Sequence, residues 1–280
     1  MAELFVVKES GETEPLNIDK IRDALLRAGA GRSLADEVID EISPGFRQNM
    51  GTREIYRMAF DTLHALKPGA AARFGLKGAL FRLGPDGHAF ETFVSALLKG
   101  RGYETKPRQT LQGKCVSHEI DVVATRQQSK NWNAASCIIE CKFHNAPSMR
   151  CHIQSALYSW ARFLDVHERN PNIKEGWLAT NTKFTTEAIQ YSDCVGLRLL
   201  GWSFPYNESI QVRIEENKLY PLTVMHDLDR RTFELLHNAG IILVPDLASK
   251  GEEELVKLGI QRQKAEMLKK TAKQVLSSNG

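Results

Sequence analysis

Cys137-Ile138-Ile139-Glu140-Cys141-Lys142-Phe143 is a short apolar run that carries one acid and one base, two residues apart. It follows an acidic run, His118-Glu119-Ile120-Asp121-Val122-Val123-Ala124. Strand side chains repeat their direction every two residues, so Glu140 and Lys142 share one face while Ile139, Cys141 and Phe143 share the other. A carboxylate and an ammonium closing an apolar strand are costly to bury without partners or a metal. Asp121, on the neighbouring strand, supplies a second carboxylate. Two carboxylates beside a lysine form a minimal nest for a hard divalent cation and an anionic substrate, the core of metal-dependent phosphodiester chemistry.

The chain has 280 residues, room for two or three domains. A hydrophobic content of 42% and a charged content of 25% are those of a soluble globular protein. The net charge of +3 is a weak pointer to an anionic partner. No apolar run approaches the roughly 20 residues of a membrane span, and Met1-Ala2-Glu3-Leu4 lacks the basic region and apolar stretch of a signal peptide. Cys115, Cys137, Cys141, Cys151 and Cys194 form no C-x-x-C pair, which argues against a zinc ribbon. An odd cysteine count without a secretion signal fits a reducing cytoplasm.

Residues 1–84 begin as a hairpin, with Leu4 to Lys8 and Glu14-Pro15-Leu16 flanking the turn Glu9-Ser10-Gly11-Glu12. Asn17 offers an N-cap to a helix with Ile21, Ala24, Leu25 and Ala28 on one face, ending at Gly29. Further helices are predicted over about 34–42, from Thr52 (Ile55, Met58, Ala59, Leu63 and Leu66 in register), and over 70–82. Gly84-Pro85-Asp86-Gly87 is the strongest break and the first domain boundary. Residues 85–220 open with a helix over 90–99. Strands near Tyr103, Ile120, Ile139, Trp177 and Leu197 then alternate with helices over 153–168 and 186–192. That alternation predicts an α/β sandwich with a central mixed sheet. Residues 221–280 turn helical and more charged, so the fold class is multi-domain α/β with a small helical end.

The opening segment resembles the ATP-cone, a regulatory nucleotide sensor. The match is carried by Val6-Val7-Lys8-x-x-Gly11, Asn17-Ile18-Asp19-Lys20-Ile21, Gly51-Thr52-Arg53-Glu54-Ile55-Tyr56 and Ala79-Leu80-Phe81-Arg82. Lys8 and Lys20 offer point charges to a polyphosphate, and Asn17 opens a helix whose N-terminal amides help bind anions. The resemblance implies that Val7, Lys8, Glu14, Asn17, Lys20 and Ile21 line ATP or dATP, with Thr52 and Tyr56 completing the pocket. Glu9 departs from the family, in which many members carry a base directly after the first lysine.

The stretch from Phe90 to Pro205 resembles the PD-(D/E)xK nucleases, and within them the Mrr-type restriction endonucleases. Phe90-Glu91-x-x-Val94 through Lys99-Gly100-x-Gly102-Tyr103 looks like their first helix and turn. His118-Glu119-Ile120-Asp121 stands at the usual Gly-Ile-Asp, and Ile139-Glu140-Cys141-Lys142 matches the E-x-K signature. Ala179-Thr180-Asn181 and Leu199-Leu200-Gly201-Trp202 look like the late strands. By this resemblance Asp121 and Glu140 ligate Mg²⁺ or Mn²⁺, and Lys142 orients the attacking water or stabilises charge developing on phosphorus. Glu91 adds a carboxylate through a metal-bound water, or is a solvated helix-face acid. Gln154 and Tyr158 form a Q-x-x-x-Y on one helical face, similar to the auxiliary motif of RecB-like and exonuclease branches. There the glutamine supports the site and the tyrosine approaches the nucleic acid. Glu119 points with Asp121, either as a ligand or behind one, and His144 is expected at the surface.

Ala239-Gly240-Ile241 and Leu258-Gly259-Ile260 resemble tandem helix-hairpin-helix or SAM-like modules, whose glycine hairpins let backbone amides approach phosphate. Lys250, Lys257, Arg262, Lys264, Lys269 and Lys270 form a basic footprint that Glu252, Glu253, Glu254 and Glu266 dilute. Packing or dimerisation is the other reading of these helices. The resemblances together imply a DNA nuclease under ATP or dATP control, or an inactive nucleotide-responsive DNA-binding regulator that keeps the nuclease fold as a scaffold. Either is compatible with a homo-oligomer. There is no G-x-x-x-x-G-K-[ST] phosphate loop, so the nucleotide is expected to act as a ligand.

Overall fold

In the computed structural model, residues 4–8, 10–84, 87–126 and 136–277 are described. Glu9 and the Pro85-Asp86 centre of the predicted boundary lie outside them. The chain forms two compact units, one from residues 1–79 with 222–280 and the other from residues 80–221.

In the first unit, β1 (Phe5–Val7) pairs antiparallel with β2 (Thr13–Pro15), and α1 (Ile18–Arg27) and α2 (Arg32–Ile42) follow. Then come β3 (Met50–Gly51), α3 (Thr52–Leu66), α4 (Pro68–Phe74) and α5 (Leu76–Phe81). α1 starts where Asn17 Oδ1 accepts the Lys20 N–H at 3.2 Å, satisfying a free amide of the first turn. It ends at Gly29, whose φ of 79° suits a residue without Cβ. Ile21 and Leu25 then join Val6, Val38, Ile39, Ile55 and Leu63 in one core. β1 also pairs in parallel with β3, setting Val7 opposite Gly51 at the start of α3. The single helix predicted over 70–82 is two, α4 and α5, separated at Gly75. There the Phe60 ring sits 3.3 Å from where a Cβ would lie, and glycine is a weak helix former. Leu66, predicted on the apolar face of α3, is exposed at its last position.

In the second unit, α6 (His88–Lys99) leads into β4 (Tyr103–Gln112), β5 (Ser117–Arg126), β6 (Ser136–Lys142) and β7 (Arg150–Cys151). Next are α7 (Ile153–Arg169), β8 (Ile173–Thr180), β9 (Lys183–Phe184), α8 (Thr186–Val195), β10 (Arg198–Leu200) and α9 (Ile210–Asn217). The five-stranded sheet has the order β10-β8-β6-β5-β4. β4, β5 and β6 run antiparallel to their neighbours, while β6, β8 and β10 run parallel. Cys137, Ile138 and Ile139 of the central strand are all buried, because helices cover both faces. Ile138 packs with Phe163 and Val166 of α7. Phe143, on the other face, lies 5.7 Å from Phe90 of α6 between ring centroids. The second unit is therefore an α/β/α sandwich on a mixed sheet.

The chain returns to the first unit with α10 (Arg230–Asn238), α11 (Val244–Ser249), α12 (Glu252–Lys257) and α13 (Arg262–Leu276). α13 packs so closely on α4 that a Cβ at Gly69 would meet the Gln274 carbonyl oxygen at 2.3 Å. Arg73 of α4 is buried and donates from Nε to the Ala28 carbonyl at 2.7 Å and from Nη1 to that of Val275 at 2.8 Å. It thereby closes the C-terminal ends of α1 and α13 with one guanidinium. No helix among the described residues is long and apolar enough to cross a membrane.

Candidate active site

Asp121 occupies an interruption in the sheet. Backbone pairing of β5 with β6 runs from Thr125↔Ser136 to Val122↔Ile139, stopping one residue short of it. On the other side, the β4 pairing passes from Pro107↔Val122 to Gln109↔Ile120, skipping Arg108. Pro107 has no N–H to offer, and Arg108 has a φ of 49°, uncommon for a residue with a side chain. With neither neighbour pairing it, Asp121 turns its own side chain into the ladder, and Oδ2 accepts the Cys141 N–H at 2.7 Å. β6 meanwhile stays paired to β8 as far as Lys142↔Thr180. The end of β6 is therefore held from one side and open on the other. Strand pairs that lose register in this way re-aim side chains beside functional sites.

Glu140 sits in this opening. Arg162 of α7 donates from Nη1 to Glu140 Oε2 at 2.5 Å and to the Glu119 carbonyl at 2.8 Å. Burial, then repulsion from Asp121, pushes the Glu140 carboxyl up to about 7, although Arg162 and Lys142 oppose it. Burial likewise raises Asp121, only partly offset by the Cys141 amide. Burial thus raises both carboxyls, with Asp121 adding to the rise of Glu140 and Glu91 to that of Asp121. Lys142, one strand repeat beyond Glu140, is exposed. Asp121 Oδ1 and Glu140 Oε1 carry no hydrogen bond among the described residues.

Among the described residues, no three His, Cys, Asp or Glu side chains gather as a ready-made metal cage. The donor set is two carboxylate oxygens. This suits Mg²⁺ or Mn²⁺, which are held by one or two carboxylates and complete their shells with water and substrate phosphate. The residues present fit such a cation, and its charge would relieve the repulsion between Asp121 and Glu140.

The remaining sequence candidates fall around this opening. Glu91 in the first turn of α6 lies 3.4 Å from His88 Nδ1 and 3.6 Å from Arg108 Nη1, and its charge acts on Asp121 and Glu140. Gln154 and Tyr158 are both exposed on α7, and Tyr158 meets Arg162. Glu119 contributes its carbonyl to Arg162, while its side chain is exposed. His118 Nε2 is 2.7 Å from Asp165 Oδ2, while Asp165 Oδ1 accepts the Cys115 N–H at 2.8 Å, and the carboxylate so fastens the β4–β5 hairpin to α7.

His144 corrects the expectation of a surface residue, because it is 6% exposed. Its Nδ1 is 2.7 Å from Thr182 Oγ1, and its backbone exchanges two hydrogen bonds with the Asn181 side chain, at 2.9 and 2.8 Å. Asn181 thereby ties down the chain just past Lys142. Arg162 and Arg108 were not among the sequence candidates. The available signal for Arg162 was its spacing, one further helical repeat along the Gln154-Tyr158 stripe.

The first unit holds a second constellation. Glu14 sits between two cations, with Lys8 Nζ at 2.8 Å and Lys20 Nζ at 3.0 Å. The hydrogen bond from Lys8, then that from Lys20, holds the Glu14 carboxyl below its ordinary value. Residues 14–20 line an open groove of about 530 Å³. Asn17 and Lys20 border it, Val7 lies beside Thr52 through its pairing with Gly51, and exposed Tyr56 stacks on Phe74 at 5.5 Å. Ile21 is 3% exposed and faces the core.

Comparison with known proteins finds three family descriptions along the chain. They are the ATP cone domain over residues 4–76, a restriction endonuclease domain over 84–201, and AF1548-like, C-terminal, over 220–276. An uncharacterized protein of Archaeoglobus fulgidus is 40% identical over 183 residues, covering 65% of this chain and 99% of that one. A crystal structure titled as AF1548, a protein of unknown function, aligns with a TM-score of 0.58 at 40% identity, over 66% of this chain and 96% of that chain.

Proposed function

Since this chain belongs to the AF1548-like family, and joins a restriction endonuclease-like domain to an ATP cone, we propose that it is a divalent-cation-dependent deoxyribonuclease regulated by ATP or dATP. The observation that carries this reading is the pair of partially buried carboxyls in a break of the sheet, each with one oxygen unengaged, and an exposed lysine one strand repeat away.

Asp121 and Glu140 would hold Mg²⁺ or Mn²⁺, which when bound supplies polarisation of the scissile phosphate and a more acidic water. Because Glu140 titrates near 7, ligation requires it to give up its proton, so occupancy rises with pH through neutrality. Lys142 orients the attacking water or neutralises charge developing on phosphorus. Asn181 keeps the backbone after Lys142 in place. Tyr158 presents an exposed ring on which a base can stack. In the cone, a polyphosphate takes over Lys8 and Lys20 from Glu14. It acts as a ligand whose influence is bounded by its differential affinity for two states.

The test is incubation with linear, circular and single-stranded DNA plus Mg²⁺, with and without ATP or dATP, beside Glu140→Ala and Lys142→Ala. Cleavage by the wild type and its loss in both variants is the expected outcome. Equal inertness of all three proteins on every substrate would instead select the DNA-binding regulator.

A further inference from the structure

Arg162 lies on the same helical stripe as Gln154 and Tyr158, at the i,i+4 spacing from each to the next. Its guanidinium joins three elements. Nη1 donates to Glu140 Oε2 on β6 and to the Glu119 carbonyl on β5, while Nη2 donates to the Tyr158 hydroxyl on α7. Its Cζ also stands 4.6 Å from the centroid of the Tyr158 ring. The Arg162 side chain is 14% exposed, and its Nε is buried without a hydrogen-bond partner. Leaving an N–H of a charged group unsatisfied is unfavourable, so stability alone is a poor reason for an arginine here. The planar fork, by contrast, is suited to fixing a carboxylate in one orientation while touching other acceptors.

We propose that Arg162 is the positioning residue of Glu140. By holding Oε2 it fixes the carboxyl so that Oε1 remains available to a divalent cation beside Asp121, and it mechanically links the exposed Tyr158 ring to that ligand. This role rests on the cation-site reading above. It also runs against simple electrostatics, since a guanidinium near a cation repels it. Orientation and charge therefore predict opposite effects of removing Arg162, and an experiment separates them.

The probe is Mn²⁺ with the full chain and no nucleic acid, its affinity read from the electron paramagnetic resonance of free ion. Glu140→Gln sets the baseline for loss of the site. If Arg162 positions Glu140, Arg162→Ala binds Mn²⁺ about 10- to 100-fold more weakly than wild type, the range typical of lost partners behind a metal ligand. Arg162→Lys, which keeps one charged donor, recovers part of that loss. Circular dichroism checks folding, and Arg162→Gln, uncharged and of similar reach, carries the comparison if truncation to alanine unfolds the sheet. Unchanged affinity in the alanine or glutamine variant overturns the proposal. Tighter binding overturns it too, and makes Arg162 a competing charge. If wild type binds no better than Glu140→Gln, the cation site itself fails, and Arg162's role with it.

Discussion

Glu140→Gln should make the protein more stable at alkaline pH, although it removes one partner of an ion pair. Burial and the nearby Asp121 raise the Glu140 carboxyl from 4.5 to about 7 against the pull of Arg162 and Lys142. A tenfold change in proton affinity corresponds to about 1.4 kcal/mol, so ionised Glu140 destabilises the folded unit by about 3 kcal/mol. With the folded value above the unfolded one, the native state gains from protonation. The stability is fully present below about 4.5 and is lost as pH rises through about 7. Glutamine imitates the protonated acid, and its amide oxygen still accepts from Arg162. The variant should exceed wild type by about 3 kcal/mol at pH 8 and match it near pH 4. The assay is urea unfolding followed by tryptophan fluorescence in EDTA. Trp160, Trp177 and Trp202 belong to the 80–221 unit, and no tryptophan of the sequence falls within residues 1–79 or 222–280, so the signal reports that unit. A variant no more stable than wild type at pH 8, or equally favoured at both pH values, refutes the reasoning.

ATP or dATP should raise the melting temperature through the cone, by the equivalent of about 2.7 kcal/mol at a hundredfold excess over Kd. Lys8→Ala with Lys20→Ala should abolish the shift, and no shift in wild type would remove the sensor reading. Asp165 is held well below the usual carboxylate range, by His118 first and then the Cys115 amide. Its contribution is therefore present at neutral pH and lost as pH falls toward that low value. Asp165→Asn should speed hydrogen exchange at the Cys115 and Val116 amides, and unchanged exchange there would count against the hairpin staple. Arg73→Met leaves the Ala28 and Val275 carbonyls without their buried donor, at about 3 kcal/mol from two charge-assisted hydrogen bonds. Faster exchange at the end of α13 is the expected sign, and unaltered protection would show that the guanidinium is dispensable there.

Much of the architecture was legible because it obeys short-range rules. Asn17 caps α1 through a residue three positions away, the turn between β1 and β2 is local, and the apolar faces of α1, α3 and α7 repeat within a few residues. The Glu140-Cys141-Lys142 spacing places acid and base on one strand face whatever surrounds them. Helix breaks were less legible. Gly75 ends a helix partly because Phe60, fifteen residues earlier in the chain, packs where a side chain would go.

What sequence alone could not decide is which distant groups meet those residues. Asp121 and Cys141 are 20 positions apart, Glu140 and Arg162 are 22, and Arg73 and Val275 are 202. No periodicity reaches across such separations, because folding of the intervening chain sets the encounter. His144, just past the end of β6, reads as a surface residue but is buried against Asn181 and Thr182 of the turn between β8 and β9. The chemical character of the site, two acids and a lysine, was thus written in the local run. Its electrostatic state, with Glu140 titrating near neutrality under an arginine from α7, came only from packing. Burial and proximity set a carboxyl's proton affinity, and both are properties of the folded chain.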